Sequence, residues 1–195
     1  MQRVRSWYYS RDCYDTKAVI SHEPDSLGLI IKLVEKEKPD MMIELGTAYY
    51  GMTLLLHECN RKTPLFTFDK YDARLFLSRS AGMMNKDGIT YLLRTVFNPT
   101  VTFVIADLVE RKNEFLIALL NIPGKKFLYC DNGKKDREVD YYAPELKTDD
   151  VLGLHDWKTE VKPEKIKSTL SLFNPHPMNQ KFKERGLLSR FFIKK

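Results

Sequence analysis

The chain has 195 residues, 43% of them hydrophobic and 30% charged, which suits one globular domain with a real core and excludes a disordered polymer. No apolar run approaches the ~18 residues a membrane helix needs, and the first ten residues lack the apolar centre of a secretory signal. The net charge of +6 is uneven: from Lys158 to Lys195 there are 10 Lys/Arg against 3 Asp/Glu, and the remainder is close to neutral.

In chain order, residues 1–22 show no clear pattern and are expected to cap the domain. Residues 26–38 place Leu27, Ile30, Ile31 and Val34 on one helical face, and Pro39 stops that helix. An apolar strand follows at 41–45, then a helix over 51–60 with Met52, Leu55, Leu56 and Cys59 on one side. A second strand at 65–68 leads into 73–86, an ambiguous methionine-bearing stretch that is a candidate lid. A helix over 88–97, capped by Asp87, precedes a third strand at 101–105. A helix over 108–121, capped by Asp107, precedes a fourth strand at 126–130. A shorter helix over 138–147, interrupted at Pro144, leads to a fifth strand at 151–154. Residues 163–173 read as helix, 174–182 with Pro175 and Pro177 as loop, and 187–195 as a last strand rich in aromatic and β-branched residues.

Short buried strands alternating with helices predict a Rossmann-like α/β domain over residues 1–195, with a mainly parallel sheet covered on both faces. Ligands of such sheets bind beyond the carboxyl ends of the strands. The five ends here carry Gly46-Thr47-Ala48-Tyr49-Tyr50-Gly51, Asp69-Lys70-Tyr71-Asp72, Ala106-Asp107, Asp131-Asn132-Gly133-Lys134 and His155-Asp156-Trp157. Their common placement matters more than any one residue.

Gly46 permits a tight turn and close approach of backbone to a ligand, and Ala48 is small for the same reason. The following helix turns its amides toward that ligand. Read as Gly46-x-Ala48-x-x-Gly51, the run also fits a loose dinucleotide fingerprint. Glu44 separates the two readings, because an acid there suits the cationic S-adenosylmethionine (SAM) and opposes a pyrophosphate; capping of a neighbouring loop is its structural alternative. Asp69, 23 residues after Gly46, can accept ribose hydroxyls. Ala106-Asp107 can read an adenine edge, with helix capping an equal explanation for Asp107.

Taken in order, Ile43-Glu44-Leu45-Gly46-Thr47-Ala48, Asp69, Ala106-Asp107, Cys130-Asp131-Asn132-Gly133, Tyr142-Ala143-Pro144-Glu145-Leu146-Lys147 and Leu154-His155-Asp156-Trp157 resemble class I SAM-dependent methyltransferases. More narrowly they resemble the small-molecule O-methyltransferase branch of catechol, macrocin and cephalosporin-hydroxylase-type enzymes, over roughly residues 25–160. The resemblance implies a sheet of seven or slightly fewer strands closed by an antiparallel C-terminal strand. It implies SAM held by Glu44, Gly46, Thr47, Ala48, Tyr50, Gly51, Asp69, Lys70, Ala106, Asp107 and Asp131. The metal-dependent relatives hold a divalent cation with carboxylates from the fourth and fifth strand ends, which here are Asp131 and Asp156, so Mg²⁺ or Mn²⁺ is an expected cofactor. Lys134 matches the base lysine of the catechol-type enzymes, and His155 and Asp131 are the other expected catalytic groups. For Lys134 the alternative is a solvated charge run, for His155 a satisfied core histidine, and for Asp131 a purely cofactor-shaping role.

The sequence departs from the pattern at Tyr50, where related sequences often carry glycine, and at His155-Asp156, where they often carry Asp-Asp or Asp-Asn. Cys13, Cys59 and Cys130 are odd in number and widely spaced, so buried free thiols and a cytoplasmic setting are expected. The expected partner is a small-molecule acceptor; a homo-oligomer is compatible with the resemblance, and neither nucleic acid nor membrane is expected. The basic tail lacks an RGG run, an RNP-like aromatic motif or zinc-finger spacing beside it. The rival readings are a nucleotide-dependent Rossmann oxidoreductase, a non-catalytic SAM-binding protein and, resting on the basic tail, a nucleic-acid methyltransferase, against which the sequence shows no Asn/Asp-Pro-Pro-Tyr signature.

Overall fold

Five apolar runs become the parallel body of one sheet: β1 (Met41–Leu45), β2 (Leu65–Asp69), β3 (Val101–Ile105), β4 (Lys126–Cys130) and β5 (Val151–Leu154). With β6 (Phe173–Pro175) and β7 (Arg190–Lys194) they form seven strands in the order β3-β2-β1-β4-β5-β7-β6, and β7 runs antiparallel to both its neighbours. The computed structural model describes residues 24–82 and 86–195, so the expected cap at 1–22 and Cys13 lie outside the described residues. Ile43 sits between Phe66 and Leu128 in register, and the chain reverses its direction of travel across the sheet between β1 and β4. Doubly wound sheets open a binding crevice at such a reversal.

Strand alternation sorts the side chains into two layers. Met42, Phe127 and Tyr129 face one core with Ile30, Leu33 and Val34 of α1 (Pro24–Glu37) and Leu54 and Leu55 of α2 (Gly51–Cys59). Ile43, Leu45, Leu128 and Cys130 face the other, with Leu116 and Leu120 further along the chain and Val139 and Tyr142 beyond β4. Gly153 lets β5 pass the stacked rings of Tyr129 and Phe191, since a Cβ there would meet Tyr129 Cδ2 at 2.6 Å.

The candidate lid contains a helix, α3 (Arg74–Gly82), followed by α4 (Lys86–Val96). The helix expected over 108–121 begins later, as α5 (Glu114–Asn121), because the Asn113 side chain caps it by accepting the Leu116 N–H at 2.9 Å. Asp107 instead accepts the N–H groups of Val109 and Glu110 at 2.9 and 3.1 Å and closes a turn directly after β3, so it does not cap that helix. The helix expected over 138–147 starts earlier, as α6 (Lys135–Tyr142), and Pro144 falls in a 3₁₀ turn, Ala143–Glu145. The helix expected over 163–173 shrinks to α7 (Lys167–Leu170).

The segment 174–182, expected as loop, carries the end of β6 and the start of α8 (Asn179–Glu184). The reason is tertiary. Asn179 Oδ1 accepts the Phe191 N–H at 2.8 Å, and its Nδ2 donates at 2.7 Å to the Phe191 carbonyl, which also accepts the His176 N–H at 2.9 Å, so the side chain supplies the acceptor that β6 does not. Phe182 packs on Phe191 with ring centroids 5.1 Å apart. Pro175 is tolerated because β6 is an edge strand. Among the described residues Cys59 and Cys130 are free, and no helix is long and apolar enough to cross a membrane.

Candidate active site

The turn after β1 is built on the neighbouring strands. Gly46 has φ +106°, and a Cβ on it would sit 2.7 Å from the Asp131 carbonyl oxygen, so glycine is required by the packing of β1 against β4. Its N–H donates to the Phe68 carbonyl at 2.8 Å. Thr47 and Thr67 share a hydroxyl hydrogen bond of 2.6 Å. Ala48 and Tyr50 both adopt positive φ, 41° and 67°, before α2 begins at Gly51. The ring of Tyr50 is buried, and its hydroxyl donates a short hydrogen bond to the Ala73 carbonyl, which ties the loop before α3 to the β1 turn.

At the end of β2, Asp69 Oδ2 accepts the Ala48 N–H and Oδ1 accepts the Tyr71 N–H, each at 3.0 Å. Lys70 places its ammonium over the Tyr71 ring, 4.8 Å from the centroid. Ala106 donates to the Asp69 carbonyl at 2.8 Å, which brings the end of β3 alongside. A cavity of about 390 Å³ opens among these groups, lined in part by Thr47, Tyr50, Asp69, Tyr71, Phe97 and Ile105. Tyr71, Phe97 and Ile105 remain exposed there, giving an apolar wall opposite a carboxylate. Asp72 and Arg74, ion-paired with each other, also line the cavity; the volume, the apolar wall and the oriented Asp69 carboxylate together suit a nucleoside.

Glu44 does not face this cavity. Its carboxyl is fully buried between β1 and α2, where Oε2 accepts the Thr53 hydroxyl at 2.5 Å. Burial pushes its pKa up to about 8, assisted by the nearby charges of Asp131 and Asp69 and opposed by the hydroxyls of Thr53 and Thr67. The acid of the β1 motif is therefore buried beneath the β1 turn, where its protonated form is favoured.

On the other side of that turn, the ends of β4 and β5 converge. His155 Nδ1 donates to Asp131 Oδ1 at 2.9 Å and lies 3.2 Å from Asp156 Oδ2. Asp131, His155 and Asp156 each offer an atom within 4.8 Å of the others. The ammonium among them belongs to Lys135. Its Nζ lies 2.8 Å from Asp156 Oδ2, 2.6 Å from Glu160 Oε2 and 3.4 Å from Asp131 Oδ1. Burial disfavours that charge, but the charge of Asp131 and the bonds to Asp156 and Glu160 outweigh it and raise the Lys135 pKa. His155 follows the same pattern: burial lowers its pKa, and the Asp131 hydrogen bond with the charges of Asp131 and Asp156 turns the net shift upward. Lys134 is exposed and, with Gly133, Lys135, Asp136, Arg137 and Glu160, borders a second cavity of about 390 Å³.

The five strand ends thus gather every polar run singled out in the sequence along one edge of the sheet. Sequence reasoning missed Lys135 and Glu160. Lys135 follows Asp131 by four residues and opens α6, so the turn over residues 131–134 aims position 135, rather than 134, back across the strand ends. Glu160 is brought in by the turn after β5, in which the Glu160 N–H donates to the Asp156 carbonyl at 3.0 Å.

No protein-family model and no curated protein sequence matches the chain. Solved structures do. The O-methyltransferase TomG from Streptomyces achromogenes, involved in tomaymycin synthesis and solved with SAM, aligns with TM-score 0.53 at 12% identity over 89% of this chain and 81% of its own. The S-adenosylhomocysteine (SAH)-bound methyltransferase PaMTH1 from Podospora anserina aligns with TM-score 0.55 at 13% identity, covering 98% of this chain and 87% of that one. The tRNA methyltransferase TrmI from Aquifex aeolicus aligns with TM-score 0.55 at 13% identity over 93% and 72% of the two chains. The chain has the Rossmann-like fold of class I SAM-dependent methyltransferases, with seven strands and an antiparallel β7.

Proposed function

We propose that the chain transfers a methyl group from SAM to a hydroxyl of a small molecule. The observation that carries this reading is the division of one sheet edge by the β1 turn. An apolar cavity with the oriented Asp69 carboxylate lies on one side, and the His155–Asp131 pair lies on the other. The solved neighbours add that TomG is an O-methyltransferase with SAM bound and that PaMTH1 holds SAH.

In this reading Asp69 receives the ribose hydroxyls, Tyr71, Phe97 and Ile105 cover the adenine, and Gly46, Thr47, Ala48, Tyr50 and Gly51 shape the turn against the methionine part. Lys70, Ala106 and Asp107 border the adenosine, and Glu44 supports the turn from below. Bound SAM supplies a methyl carbon activated by the sulfonium: the acceptor oxygen's electron pair forms the C–O bond as the C–S bond breaks to leave neutral SAH. His155 in its neutral form takes the hydroxyl proton, and Asp131 holds the ring and stabilises the imidazolium that results. Lys134, exposed beside the second cavity, contributes charge toward an acceptor entering there. A divalent cation at Asp131 and Asp156 would compete with Lys135 for the same oxygens, so activation of the hydroxyl falls to His155.

Thermal denaturation with added nucleotides tests the binding half. SAM and SAH at millimolar concentration are expected to raise Tm, and NAD(H) is not. Release of SAH with a panel of phenolic and aliphatic hydroxyl acceptors tests the chemistry. No stabilisation by SAH would overturn the reading. Stabilisation with no turnover on any acceptor would favour a non-catalytic SAM-binding protein.

A further inference from the structure

We infer that the Lys135 ammonium takes the place of a divalent cation at the ends of β4 and β5, so that this site works without a metal. The donors for a metal are present: Asp131, His155 and Asp156 offer atoms within 4.8 Å of one another. Oxygen and imidazole donors suit Mg²⁺ or Mn²⁺. Such an ion demands oxygens at roughly 2.0–2.2 Å and in near-octahedral array. The Lys135 Nζ already stands at hydrogen-bond distance from Asp156 Oδ2, 2.8 Å, and in ion-pair contact with Asp131 Oδ1, 3.4 Å. A metal bound to both oxygens would press two cations together, so it could enter only after the lysine swung out.

The lysine is built in rather than incidentally close. Its side chain is only 4% exposed. It is the first residue of α6, where the positive end of the helix dipole disfavours a cation, so it is held there against its own helix by the three carboxylates. Glu160, 56% exposed at its side chain, completes the pocket at 2.6 Å. The exposed Glu160 keeps much of its charge in water, which leaves the two aspartates as the acids that need a cation, and Lys135 reaches both. Removing the lysine alone would convert the cluster into an acidic site with a metal's donor set.

This inference concerns cation binding and does not rest on the identity of the acceptor or on turnover. Titration of Mn²⁺ followed by electron paramagnetic resonance of the free ion tests it. The wild-type protein is expected to leave Mn²⁺ unbound up to millimolar concentration. Lys135→Met is expected to bind one Mn²⁺, to gain Tm when Mn²⁺ is added, and to lose both effects when Asp156→Asn is added. Lys135→Arg, which keeps the positive charge, is expected to exclude Mn²⁺ as the wild type does. Stoichiometric Mn²⁺ binding by wild-type protein that disappears in Asp156→Asn overturns the inference even if no lysine variant folds. Failure of folded Lys135→Met to bind the ion overturns it equally, since the lysine would then not occupy a cation position.

Discussion

Asp69 and Ala48 are joined across the first two strand ends, with Asp69 Oδ2 accepting the Ala48 N–H at 3.0 Å. Oδ1 is fixed as well, by the Tyr71 N–H at the same distance. Each oxygen keeps a second lone pair, so two backbone donors orient the carboxylate without exhausting it. The same residue therefore shapes the β1 turn and presents acceptors to the cavity. Asp69→Asn replaces one acceptor by an amide that faces an N–H donor, either toward Ala48 or toward Tyr71, and so disturbs the turn as well as the ribose contact. We expect SAH affinity to fall at least tenfold, about 1.4 kcal/mol, in both Asp69→Asn and Asp69→Ala. Calorimetric titration reads it directly, and unchanged affinity in both variants would remove Asp69 from the cofactor site.

Gly46 answers a different constraint. Its φ is +106°, and a methyl group on its Cα would lie 2.7 Å from the Asp131 carbonyl oxygen, so alanine would be strained and would also overlap backbone. Backbone strain of this kind costs about 1–3 kcal/mol before any overlap is counted. Gly46→Ala is expected to lower Tm by roughly 4–10 °C, and to do so with no ligand present. A variant of normal stability that only lost SAH binding would show that the glycine serves the ligand rather than the β1–β4 contact.

The strand ends were legible in the sequence because each short apolar run gives way within two residues to a polar one, and the parallel topology then puts all five ends on one edge. What was not legible has a common cause, which is contact with distant residues. Glu44 has the sequence position of a ligand acid, yet Thr53 and full burial make it a strut. The α8 segment lacks helical periodicity and is organised by Asn179 pairing with the backbone of Phe191. Lys134 and Lys135 are indistinguishable as neighbouring lysines, and only the position at which α6 starts decides which one turns inward.

Burial of Glu44 predicts a pH dependence with a definite sign. Its folded-state pKa, raised to about 8 from an ordinary 4.5, means that folding favours the protonated form. The stability it permits is fully present below pH 4.5 and is lost as pH rises through about 8. Glu44→Gln keeps a hydrogen-bonding side chain of similar shape without the proton to lose. Wild-type Tm is expected to decline between about pH 4.5 and pH 8, and the Gln variant to decline less over the same window. Parallel curves for the two proteins would show that the carboxyl is ionised at neutral pH.

The His155–Asp131 pair gives the last prediction. A base must be neutral to accept a proton, and the net upward shift at His155 puts its loss of charge above the ordinary 6.5. The kcat/KM for a hydroxyl acceptor is therefore expected to rise with pH along a limb whose midpoint exceeds 6.5. Asp131→Asn removes the hydrogen bond and the charge that contribute most to raising the histidine, leaving only the charge of Asp156. The limb should move to lower pH while the plateau falls, since the imidazole is easier to deprotonate but worse oriented and less able to hold the proton it takes. Removing the base should cost about 10²–10⁴-fold in kcat, so His155→Asn is expected to lose that much and the limb with it. SAH affinity measured beside the rates separates the two roles of this edge: it should survive His155→Asn, because the ribose and adenine are held at Asp69 and beyond, on the far side of the β1 turn. An unshifted limb in Asp131→Asn, with full SAH binding and correct folding, would assign the titration to another group and leave His155 a structural residue.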